Sequence, residues 1–128
     1  MAWIELITVL AVFQLFVFSI LVARARGRYG VQAPATSGHE MFDRYYRVQM
    51  NTIEVLMLFL PSLWVASLCS DSVWITVAGF VYLVGRIVYL FGYVSDPKQR
   101  GLGYVLSILP TMGLMGTALV CSIQALLA

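Results

Sequence analysis

The side chains that could carry chemistry lie inside segments that are otherwise apolar. Arg47, Asn51 and Glu54 are spaced i, i+4, i+7, so they share one face if this segment is helical. A second stripe, spaced i, i+4, i+7, i+11, consists of Tyr82, Arg86, Tyr89 and Tyr93. Guanidinium groups pair with carboxylates, and amide and phenol groups supply further hydrogen bonds. These residue types therefore suit a small polyanion with peptide-like groups.

An internal role for the same residues is an alternative. Glu54 would then form an ion pair with Arg86 or Arg47 and hold neighbouring helices together. The balance of charge favours a ligand, because cations outnumber carboxylates at this end of the segments. The cations concerned are Arg26, Arg47, Arg86 and Arg100, with Glu54 as the nearest carboxylate. Both interpretations remain open from the sequence.

The elements that position these residues are predicted to be membrane-spanning helices. The chain has 128 residues, of which 61% are hydrophobic and 11% are charged, which leaves too little polar surface to cover a soluble globule. High apolar content also excludes disorder. A net charge of only +2 indicates no nucleic-acid partner. The sequence thus predicts one all-α integral membrane domain over residues 1–128.

Four stretches reach the length of about 20 apolar residues that a bilayer requires. They cover residues 3–23, 48–68, 73–93 and 102–127. All basic residues except Arg86 lie in, or flank, the loops 24–40 and 94–101. Because Lys and Arg favour the cytoplasmic side of short loops, we expect both loops in the cytoplasm. A bacterial inner membrane and the endoplasmic reticulum both fit this four-helix topology.

Two motifs predict where helices begin. Ser37 with Glu40 three residues later has the form of a capping box, which predicts a second helix of about 30 residues projecting beyond the bilayer. Asp96 followed by Pro97 predicts the start of the fourth helix. That start places Arg100 at headgroup depth.

The remaining reactive residue types predict little chemistry. Cys69 and Cys121 lie at or within hydrophobic segments, and we expect buried, inert thiols. His39 is the only histidine, so no multi-histidine metal set can form and no metal is expected. The candidate chemistry therefore rests on the polar residues of the second, third and fourth helices.

Two segments carry a family resemblance. The run Phe42–Glu54, which reads FDRYYRVQMNTIE and is followed by LFLP and LWVA, resembles the membrane-associated proteins in eicosanoid and glutathione metabolism. The second match consists of Val81-Tyr82-Leu83, Arg86, Tyr89, Gly92-Tyr93 and Arg100. The likeness covers nearly the whole chain.

The resemblance implies a homotrimer of four-helix subunits that binds glutathione, as co-substrate, between neighbours near the cytoplasmic side. Carried over by position, one subunit would supply Arg47, Asn51, Glu54, Tyr89 and Tyr93, and the next Arg26, Gln49 and Arg100. Arg86 is counted among the glutathione-binding residues, and Arg100 matches the arginine held to stabilise the thiolate. Gly27 and Val55 differ from the leukotriene synthase branch, so the microsomal glutathione transferase branch is the closer guide.

The implied activity is conjugation of glutathione to lipophilic electrophiles that arrive from the bilayer, a detoxification reaction with Arg100 as the catalytic residue. Reduction of lipid hydroperoxides is a possible side activity of the same thiolate. Two alternatives are a lipid-binding member of the family without catalysis, and a small four-helix carrier that uses Glu54 as a proton or cation site.

Overall fold

The protein is a bundle of four long helices. The computed structural model describes all 128 residues. Helices α1, α2, α3 and α4 cover Ala2–Tyr29, Glu40–Cys69, Val73–Ser95 and Arg100–Leu127, and a short 3₁₀ turn at Pro97–Gln99 leads into α4. All four helices are long and apolar enough to cross a membrane. The prediction of an all-α protein with four membrane-spanning helices is confirmed.

Close contact between α3 and α4 fixes the position of α4. Gly103 of α4 is buried against the backbone of Tyr89, and a Cβ at Gly85 of α3 would lie 2.8 Å from the backbone of Leu106 and Ser107. Small residues that let backbones approach are typical of helix contacts in membranes. The register of α4 against α3, and hence the position of Arg100, depends on these two glycines.

Adding a methyl group at Gly103 is expected to destabilise the bundle by about 1–3 kcal/mol, the usual cost of overpacking. A Cβ there would lie 2.7 Å from the Cβ of Tyr89 and would also overlap its backbone. Thermal unfolding of Gly103→Ala in detergent, followed by circular dichroism, measures the effect. Gly116→Ala is the matched control, because nothing lies within 4 Å of a Cβ at that position of the same helix. Equal melting temperatures of the two variants would contradict the close contact.

The beginning of α2 differs from the predicted capping box. His39 is the N-cap, and its Nδ1 accepts a hydrogen bond from the Met41 amide at 3.0 Å. Its ring also stacks on Tyr29, with 4.4 Å between centroids. The prediction of Ser37 as the cap was wrong because α2 begins directly after His39. Glu40 is therefore the first helical residue rather than the third.

The turn that precedes α4 follows the sequence prediction more closely. The side chain of Asp96 accepts a hydrogen bond from the Lys98 amide at 3.0 Å, as expected of an N-cap. One turn of 3₁₀ helix precedes α4. Arg44 of α2 also donates to the carbonyls of Val94 and Ser95, at 2.8 and 3.3 Å, which satisfies the last carbonyls of α3. The start of α2 is thereby attached to the end of α3.

The two cysteines form a disulfide rather than the inert thiols expected. Cys69 ends α2 and Cys121 lies in the last turns of α4, and their Cα atoms are 6.1 Å apart. Because α2 and α4 run in the same direction, both cysteines reach the same end of the bundle. Sequence spacing could not reveal the pair, since 52 residues separate them and the register of two helices decides whether they meet.

Candidate functional site

A polar groove opens between α2, α3 and the beginning of α4. Its volume is about 370 Å³. It is lined by Arg47, Asn51, Glu54, Tyr89, Tyr93, Arg100, Gly101 and Tyr104. The structure thus brings together, within one chain, most of the residues that the sequence analysis singled out.

The helical spacing explains why these side chains meet. Arg47, Asn51 and Glu54 lie on one face of α2, and Tyr89 and Tyr93 on one face of α3, with 5.6 Å between the two ring centroids. The 3₁₀ turn after Asp96 then sets the first residue of α4, Arg100, against this pair of faces. Three separate helices therefore build one wall of polar groups.

The charged groups of the polar groove are exposed and without partners in the chain. Arg47, Glu54 and Arg100 are all exposed, and none forms an ion pair. The one ion pair of the chain joins Arg44 to Glu40. The polar groove thus presents two guanidinium groups and one carboxylate, which fits a ligand that carries charges of both signs.

Arg86 lies beneath the polar groove and does not line it. Its side chain is 0% exposed, and its Nε and Nη1 donate to Ser107 Oγ and Asn51 Oδ1, each at 2.8 Å. The guanidinium also lies 4.4 Å from the ring centroid of Tyr89. The alternative of an ion pair between Arg86 and Glu54 is not realised. We therefore correct the prediction that Arg86 contacts the ligand directly, because its side chain is fully enclosed. Arg86 instead contacts Asn51 and Tyr89 from beneath the polar groove.

The contact with Arg86 determines the orientation of Asn51. A guanidinium can only donate hydrogen bonds, so the amide of Asn51 must present its oxygen to Arg86. Its Nδ2 hydrogens then remain for an acceptor in the polar groove. This buried cation therefore makes Asn51 a hydrogen-bond donor toward any ligand.

Two predicted residues lie outside the polar groove. Arg26 Nη1 donates to the carbonyl of Ala35 at 2.6 Å, and Gln49 Nε2 donates to Ser19 Oγ at 2.6 Å. Contact of Arg26 or Gln49 with a ligand in the polar groove would have to come from a second subunit. Arg100 differs from the expected subunit assignment, since it lines the groove of its own chain.

The sequence analysis missed Tyr104 and Ser107. Tyr104 lines the polar groove one turn after Arg100, and Ser107 accepts the hydrogen bond from Arg86. With Arg100, they are spaced i, i+4, i+7, the same pattern that identified the polar face of α2. The helical spacing of polar residues in α4 could therefore have identified both from the sequence.

The fold and the polar groove together define an integral membrane protein of four spanning helices with a polar site at one end. The MAPEG family model matches residues 4–120, and the chain belongs to this family of membrane proteins.

Three relatives illustrate the likeness. An uncharacterised protein of Synechocystis sp. is 44% identical over 117 residues, which cover 91% of this chain and 85% of that protein. Human microsomal glutathione S-transferase 2 is 33% identical over 117 residues, covering 88% of this chain and 80% of the relative. Leukotriene C4 synthase of Cavia porcellus is 37% identical over 99 residues, covering 77% and 66%.

Proposed function

We propose that the protein is a glutathione-dependent membrane transferase, which holds glutathione as a thiolate for attack on lipophilic electrophiles. The likeness to a microsomal glutathione transferase and to a leukotriene C4 synthase supports this class of activity. The observation that carries the proposal is the set of unpartnered charges in the polar groove, contributed by Arg47, Glu54 and Arg100.

The charges of glutathione match those of the polar groove. Glutathione has two carboxylates, one ammonium group, two amides and a thiol. Arg47 binds a carboxylate and Glu54 binds the ammonium group, while Asn51 donates to a carbonyl oxygen. The hydroxyls of Tyr89 and Tyr93 serve the remaining amide groups. Each charge of the peptide except the second carboxylate then meets an opposite charge within one chain.

A homotrimer would complete the site. The second carboxylate of glutathione needs another cation, and Arg26 of a neighbouring subunit provides one, with Gln49 beside it. Both residues lie on the loop side of the bundle but outside the polar groove of their own chain. Binding between subunits is therefore the arrangement in which Arg26 and Gln49 can act together with the predicted residues that line the polar groove.

Arg100 is the proposed activator of the thiol. A thiol of pKa about 8.5 is mostly protonated at neutral pH. Lowering that pKa by about two units requires roughly 2.7 kcal/mol of differential stabilisation, at 1.36 kcal/mol per unit. A guanidinium close to the sulfur in a partly desolvated groove can supply this free energy, because it stabilises only the anion.

The thiolate can react with two kinds of lipophilic substrate. The thiol loses its proton to water, and the thiolate forms a C–S bond with the electrophilic carbon as the leaving group departs. With a lipid hydroperoxide, the thiolate instead attacks the terminal oxygen, the O–O bond breaks, and the lipid alkoxide takes a proton from water and leaves as the alcohol. A second glutathione converts the resulting sulfenic acid to glutathione disulfide and water. The apolar co-substrate enters from the bilayer beside the polar groove.

The proposed orientation places loops 24–40 and 94–101 in the cytoplasm. It rests on the basic residues that flank these loops and on the position of the polar groove near the same end of the bundle. Glutathione would enter from the cytosol, and the hydrophobic substrate would enter from the membrane.

Binding of glutathione as a thiolate gives the decisive test. The ultraviolet absorbance of thiolate is recorded while glutathione is titrated with base in the presence of the detergent-solubilised protein. We expect the bound thiol to ionise about two pH units below free glutathione. The S-methyl derivative, which has no ionisable sulfur, is the control for absorbance changes of tyrosine. Ionisation at the pH of free glutathione would contradict the proposed function.

A further inference from the structure

Two arginines at the end of α1 have no carboxylate partner in the chain, although the Arg28 guanidinium lies 5.5 Å from the ring centroid of Tyr29. Arg24 and Arg28 are exposed and four residues apart, so they share one face of the helix. Arg26 between them points elsewhere and is held by the carbonyl of Ala35. Neither Arg24 nor Arg28 forms an ion pair, since the one ion pair of the chain is formed on α2.

The two guanidinium groups line a small crevice between α1 and α2. Its volume is about 110 Å³, and we call it the arginine crevice. It is lined by Leu21, Arg24, Ala25, Arg28, Tyr29 and Tyr45. Its lining thus includes two arginines and two tyrosines, whose side chains carry hydrogen-bond donors, and no acidic residue. An anionic oxygen group, such as a phosphate, is the partner that suits all of them.

The same side of α1 is apolar below the arginine crevice. Ile20, Val17 and Phe13 precede Arg24 by four, seven and eleven residues, so they continue its face toward the membrane centre. Their side chains are 50%, 48% and 61% exposed. Donors for an anion at one end and exposed apolar side chains below match the two parts of an amphiphile.

We propose that the arginine crevice and the apolar side of α1 bind an anionic phospholipid of the cytoplasmic leaflet. The phosphate contacts Arg24 and Arg28, with Tyr45 as a further donor, and one acyl chain lies along Phe13 and Val17. The arginine crevice shares no residue with the polar groove. The lipid site is therefore independent of the proposed transferase activity.

Native mass spectrometry of the full chain, released from mixed micelles, tests the proposal. The anionic probe is phosphatidylglycerol, and phosphatidylcholine with the same acyl chains is the zwitterionic comparison. Wild-type protein should retain phosphatidylglycerol preferentially. Removing each arginine should weaken binding about fivefold, and Arg24→Gln with Arg28→Gln about 30-fold. Lys98→Gln removes an exposed cation of the other cytoplasmic loop and should change nothing.

Three results with the charge variants and the lipid probes would overturn the proposal. These are undiminished phosphatidylglycerol binding by the double variant, an equal loss in Lys98→Gln, and glycerol phosphate alone binding as tightly as the lipid. The second would mean diffuse attraction and the third an ion site without acyl-chain contact. Tyr45→Phe tests the arginine crevice without altering charge, and we expect binding weaker by a few fold, the usual worth of one hydrogen bond. Unchanged binding in Tyr45→Phe would remove the crevice from the site.

Discussion

Arg100→Ala is expected to lower kcat for a lipophilic electrophile about a hundredfold at neutral pH, the usual effect of losing one group that stabilises a developing anion. Arg100 lines the polar groove from the first turn of α4. In the proposed function its positive charge stabilises the thiolate. Binding of glutathione itself should weaken far less, because Arg47 and Glu54, the proposed partners of its carboxylate and ammonium groups, remain in place. Steady-state kinetics and a glutathione titration separate the two effects.

The pH dependence of this variant distinguishes thiol activation from substrate positioning. A nearby cation favours the anion and lowers the thiol pKa, so its removal raises that pKa toward about 8.5. The activity of Arg100→Ala should therefore recover as the pH rises through that value. Lys98→Ala, two residues away and outside the polar groove, is the matched control and should keep wild-type turnover. An equal loss at every pH would show that Arg100 does not act on the thiol.

Arg86→Met is expected to weaken glutathione binding about tenfold without lowering the stability of the bundle. Arg86 is fully buried, faces no carboxylate, and leaves Nη2 without a hydrogen bond. An apolar side chain of similar length removes the cost of burying this charge, so the melting temperature should stay the same or rise. The affinity falls because Asn51 loses the donor that orients its amide, a hydrogen bond to a charged group worth about 1.5–3 kcal/mol.

A double-mutant cycle tests this positioning role. Asn51→Ala should weaken glutathione binding to a similar degree. The combination with Arg86→Met should add little, since both changes remove the same interaction, the oriented Asn51 amide. Arg86→Lys should restore part of the affinity, because an ammonium group can still donate to Asn51. A lower melting temperature with unchanged affinity would mean that Arg86 only supports the fold.

The polar faces could be predicted from sequence because they obey helical periodicity. Arg47, Asn51 and Glu54 on α2 share a face whatever the rotation of the other helices, and so do Tyr89 and Tyr93 on α3. Apolar segment length likewise predicted the four spanning helices. These features depend on one helix at a time.

The errors concern features that depend on two helices together. Arg86 belongs to the same helical stripe as Tyr89, but its side chain points into the bundle and donates a hydrogen bond to Ser107 of α4. That position depends on the close backbone contact at Gly103, which no spacing within α3 could reveal. The pairing of Cys69 with Cys121 has the same origin, since it requires the register of α2 against α4. The cap at His39 was missed for a local reason, because the pattern that suggested Ser37 does not specify the first helical residue.

The disulfide has a consequence for the orientation of the protein in its membrane. Disulfides persist in oxidising compartments, and a thiolate is the nucleophile that breaks them. In the proposed orientation and function, the polar groove would form such thiolates at the cytosolic face, while Cys69 and Cys121 would lie at the opposite face, beyond a hydrocarbon layer of about 30 Å. In that orientation the bilayer would separate the cystine from the thiolates of the proposed reaction. Inserted the other way round, the chain would expose its one covalent cross-link to the reducing cytosol.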